Sequence, residues 1–80
     1  MKLYTVFYAG LVLHEFDNDK EYNTWSRAAC HGSPEIYNGA YVHVPTRSPW
    51  QGCEWFRCDL TPVLLEDVPK ELLLSVLLLN

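Results

Sequence analysis

The residues of this chain best suited to chemistry are three cysteines and two histidines: Cys30, Cys53, Cys58, His31 and His43. Cysteine and histidine are the usual ligands of zinc. Their spacing argues against a metal centre. With residues 53–58 in a strand, the offset of five from Cys53 to Cys58 sends the two sulfurs to opposite faces. Cys30 and His31 are chain neighbours and diverge as well. Thiol catalysis needs a cysteine beside a base that is itself oriented by a third group. No glycine elbow, oxyanion-type loop or orienting partner accompanies these residues. Gly10, Gly32, Gly39 and Gly52 are isolated turn residues and form no phosphate loop. The expectation is a non-enzymatic protein with no catalytic residue, no cofactor and no metal. The cysteines read as small buried apolar fillers. Their odd count, without a pattern, argues against a disulfide framework and predicts a reduced, cytoplasmic protein.

Charge comes next. The formal net charge is −4, and the six basic residues (Lys2, Lys20, Arg27, Arg47, Arg57 and Lys70) are scattered singly. Nucleic-acid binders carry a basic patch or stripe, so no direct nucleic-acid partner is expected. Glu15, Asp17, Asp19 and Glu21 form an acidic patch within seven residues. One reading is a nucleic-acid mimic, with carboxylates standing for phosphates. The simpler reading is helix capping, because acidic side chains stabilise the positive end of a helix. Glu66 and Asp67 read in the same way.

These residues need elements to position them. A chain of 80 residues is a single domain, 1–80, with a modest core. LYTVFY and LVLHEF flank Ala9-Gly10 and read as a hairpin with a loop of two or three residues. Both faces of its first strand are apolar, Leu3 and Phe7 on one and Tyr4, Val6 and Tyr8 on the other. Asn18 and Glu21 have capping-box spacing. A helix then follows, with Tyr22, Trp25, Ala28 and Ala29 on one stripe and Gly32 just past its end. Asn38-Gly39 predicts a second hairpin, with Ile36-Tyr37 as its short first arm. The second arm, Ala40 to Val44, puts Ala40, Val42 and Val44 on one face and Tyr41 and His43 on the other. PTRSPWQG is a loop, CEWFRCDL a fourth strand, and Asp67 and Pro69 start a terminal helix. The expected fold is α+β in β-β-α-β-β-α order, an antiparallel sheet packed by one or two helices.

Two features go beyond what a core needs. Trp and Arg are enriched at interface hot spots. Arg47, Trp50, Trp55 and Tyr41 are therefore candidate contact residues, with Trp50 as a lid on the core the alternative. The second feature is the terminal run, in which seven of the eight residues from Leu72 to Leu79 are apolar. Eight residues fall far short of the roughly 20 needed to cross a bilayer, so no membrane partner is expected. As a helix, the run carries leucines most of the way round, and Leu74 and Leu78 are the candidate contacts. The expected activity is protein binding by steric occupation of a surface. Size and composition fit a virus- or mobile-element-encoded inhibitor or modulator of a host enzyme or complex. The alternative is a homodimeric structural domain that pairs with itself through the terminal helix.

Overall fold

Residues 2–79 are described by a computed structural model, with the side chains of Pro49, Trp50 and Leu79 outside that description. Strand β1 (Tyr4–Tyr8) turns into β2 (Leu11–Phe16) through Ala9 and Gly10, at φ 52° and 79°. The loop is therefore two residues long, with Tyr8 paired to Leu11. Positive φ at both positions is the signature of a type I′ turn, whose twist matches the flanking strands. Alanine is poorly suited to that conformation because its Cβ crowds the carbonyl. Ala9→Asn should therefore stabilise the fold by about 1 kcal/mol. An unchanged midpoint in urea denaturation would count against this reading of the turn.

Beyond the turn the register slips. Val6 faces His14 but Phe7 faces Val12, which leaves Leu13 as an extra, bulged residue. The sheet runs β2-β1-β3-β4, all antiparallel, with β3 at Tyr41–His43 and β4 at Trp55–Phe56. Alternation along each strand divides the core into two clusters. Tyr4, Val6, Val42 and Phe56 point to one face, while Phe7 and Trp55 point to the other. This explains why both faces of the first strand are apolar: each is covered. Ala40, Val42 and Val44 share the first face as expected. Leu3 also packs there, on the opposite side from that expected beside Phe7.

The first face is covered by α1 (Asp19–Gly32) and α2 (Pro34–Gly39). Asn18 caps α1 by accepting from the Glu21 N–H at 2.8 Å. The buried side of α1 centres on Tyr22, with Trp25, Ala29 and Cys30 partly covered, whereas Ala28 faces solvent. The tyrosine ring stacks on Tyr4 at 4.1 Å, nearly parallel. Gly32 proves to be the last helical residue, not a left-handed cap. Ser33 ends the helix: its N–H donates to the Ala29 carbonyl, and its hydroxyl accepts from the Ile36 N–H to start α2.

This helical restart overturns the Asn38-Gly39 hairpin. Ser33 as cap with Pro34 in the first turn is a strong helix start. It absorbs Ile36 and Tyr37 before they can form a strand arm. Gly39 serves close packing, since a Cβ there would come within 2.8 Å of the Tyr8 ring. The loop after β3 is also more ordered than expected. It forms a 3-10 turn at Pro45–Arg47 and then a short helix, α3 (Ser48–Gln51).

The fourth strand is shorter than the expected 53–60. After Phe56 the chain reverses, with Leu60 at φ 65° and its N–H donating to the Arg57 carbonyl. Asp59 fixes the reversal by accepting from the Thr61 N–H at 3.0 Å. A further 3-10 turn at Leu65–Asp67 leads into α4 (Lys70–Leu79). The Pro69 carbonyl accepts the first helical bonds of α4, from Leu72 and Leu73. With α2 and α3 as short insertions, the order remains β-β-α-β-β-α, with helices on both faces of a four-stranded antiparallel sheet.

Candidate binding surface

Cys30 and Cys58 form a disulfide that closes 28 residues of chain, with Cα atoms 6.3 Å apart. This corrects the expectation of three reduced cysteines and removes the cysteine argument for a cytoplasmic location. The bond ties α1 to the turn after β4. A second tie runs beside it, because the Tyr22 hydroxyl donates to the Cys58 carbonyl at 2.6 Å. Cys53 keeps its thiol, which donates to the Trp55 and Val63 carbonyls. Among the described residues, no three His, Cys, Asp or Glu side chains are grouped to hold a metal. No helix among them is long and apolar enough to cross a membrane.

The aromatic and arginine candidates mostly turn inward. Trp55 is 2% exposed and belongs to the core beside Phe7, so it offers no contact surface. Tryptophan's enrichment at interfaces makes it a candidate, but strand alternation turns it under α4. Arg47 is held against the domain. Its guanidinium donates to the Tyr4 hydroxyl at 3.2 Å and lies 5.8 Å from the Phe56 ring centre. Tyr41 is half-buried, with the Arg57 guanidinium 4.8 Å over its ring. The Trp50 side chain lies outside the described residues.

The acidic residues do not form one surface. Glu15 lies in β2 opposite Thr5, on the sheet face away from Phe16. Asp17 accepts from Asn18, and Asp19 accepts from the Tyr4 hydroxyl. The latter contact links the patch to the core. Burial raises the Tyr4 pKa, and the hydrogen bond to Asp19 raises it further against the opposing effect of Arg47. Burial also lifts the Tyr22 phenol well above its ordinary value, with neighbouring Tyr4 adding to the shift.

A phenol whose folded pKa is raised contributes stability that is intact below the unfolded value and lost as pH rises through the folded one. The fold should therefore hold up to the ordinary phenol value of 10.0 and weaken above it. In an absorbance titration at about 295 nm, Tyr4 and Tyr22 should ionise only as near-ultraviolet dichroism collapses. Reversible ionisation of all five tyrosines with the dichroism intact would contradict this.

What remains exposed and apolar is leucine. On α4, Leu72 is buried at 3% exposure, and Leu73 and Val76 pack beside it on Phe7, Trp55, Val63 and Val68. The opposite side carries Leu74, Leu77 and Leu78 at 60%, 70% and 87% exposure. Spacings of three and four residues place these leucines on one helix face. Leu74 and Leu78 are thus outward-facing, and Leu77 joins them. The sequence reading also passed over Leu11, Val12 and Leu13 on the edge strand β2, and Leu64 and Leu65 before α4, all exposed. The signal for β2 was available: LVL on the outer arm of a hairpin whose inner arm already fills both faces.

The fold and surface define a small α+β domain with an outward leucine face on α4. No protein-family model, curated protein or solved structure matches the chain.

Proposed function

We propose that this chain is a small non-enzymatic protein-binding module that docks through the outer face of α4. The supporting observation is the pair of leucine faces on one ten-residue helix, one seated on the sheet and the other open. Burying a leucine side chain contributes roughly 1.5–3 kcal/mol. An uncovered face therefore forgoes several kcal/mol that a partner would recover. An exposed apolar patch of this kind is how protein-contact surfaces are commonly built. Binding would act by occupying a surface of a larger protein. An inhibitor or modulator of a host enzyme or complex is the form of that activity which suits so small a domain. Immobilised wild type should retain a partner from lysate that the Leu74→Lys/Leu78→Lys variant does not. Equal retention by both would remove α4 from the reading.

The same face admits a second reading, homodimerisation across a two-fold axis, because a helix with an open apolar stripe complements its own copy. Sedimentation equilibrium separates the two. A chain that stays monomeric at high concentration leaves only the external partner.

A further inference from the structure

The second face of the sheet holds one polar group that packing does not explain. His43 is 8% exposed, sits in β3 opposite Thr5 and Trp55, and lies 4.7 Å from the Trp55 ring. Among the described residues, its Nε2 is the buried side-chain polar atom left without a hydrogen-bond partner. The Glu54 carboxylate lies 3.3 Å from that nitrogen, within ion-pair reach but outside hydrogen-bond geometry. A carboxylate can only accept, so this contact is attractive only when Nε2 carries a proton. A fully protonated imidazole sets a full positive charge opposite the carboxylate and strengthens the contact beyond that of a neutral Nε2–H.

We propose that His43 and Glu54 form a proton-operated latch that holds the segment before and through β4 against β3. Glu54 is well placed for this. Its backbone carbonyl accepts from the Val44 N–H at 2.8 Å, so the main chain is fixed while the side chain, 41% exposed, can swing. Glu54 also lines a cleft of about 310 Å³ with Trp55, Val63, Leu64 and Leu65. Protonation draws the carboxylate onto His43. Loss of the positive charge weakens that hold.

Other ionisable groups on the elements packed around this face are Glu15 on β2, Cys53 before β4, Arg57 after it, Glu66 and Asp67 on the turn before α4, and Lys70 and Glu71 in its first turn. None of them is ion-paired among the described residues. Imidazoles as a class change charge in the window between pH 5.5 and 8.

The test is thermal melting of wild type and Glu54→Gln across that window. Glutamine keeps the shape and removes the charge, and its side chain is exposed enough for the variant to fold. The wild type should melt higher than the variant at pH 5.5, and the difference should shrink by about 4 °C or more by pH 8. His14 and His31 are common to both proteins and cancel in the difference. A difference that stays flat across the window overturns the latch.

Discussion

Reduction of the Cys30–Cys58 bond should lower the free energy of unfolding by about 3–4 kcal/mol, the chain-entropy value for a loop of this length. A domain of this size has a total stability of only about 4–12 kcal/mol, so the loss is a large fraction of the whole. The effect is local in origin. Cys58 is fully buried, and the Tyr22 hydroxyl rests on its carbonyl, so the bond and the tyrosine hold α1 to the same turn. Urea denaturation with and without reductant reads the difference, and Cys30→Ala/Cys58→Ala should reproduce it. Alkylation of the folded, unreduced protein should label only Cys53. Labelling of all three cysteines, or a midpoint indifferent to reductant, would contradict the account.

The second large effect separates the two sides of α4. Leu72→Ala should cost about 2–5 kcal/mol, because it opens a cavity against Phe7 and Trp55. Leu74→Lys/Leu78→Lys should change stability by no more than about 0.5 kcal/mol per site, because neither side chain is packed. The contrast is the measurement. Unfolding by the outer pair would mean that those leucines belong to a core, and the proposed surface would be lost.

Much of this fold was legible because the signals were local. The Asn18 cap, the Ala9-Gly10 turn, the alternation through Val42 and the start of α4 each depend on a few neighbouring residues. The differences arose where a competing local signal or a distant contact decides. Asn38-Gly39 is a strong turn signal in isolation, but Ser33 and Pro34 restart a helix, and Gly39 is required by the Tyr8 ring. The Cys30–Cys58 pairing spans 28 residues, and chain spacing carries no information about that approach. Trp55 and Trp50 look alike in sequence. The ladder to His43 turns Trp55 inward. The leucines of α4 are nearly equivalent as letters. The rotation of the helix, set by Leu72 in its seat on Phe7 and Trp55, decides which of them face out.

The most direct test of the central claim is side-by-side capture by immobilised wild type and by the Leu74→Lys/Leu78→Lys variant, once equal melting temperatures show both to be folded. The account predicts a partner, whether another protein or an untagged copy of the chain, that is retained by the wild type and absent from the variant. Identical retention by two equally stable proteins would show that the open leucine face of α4 is not where this domain binds.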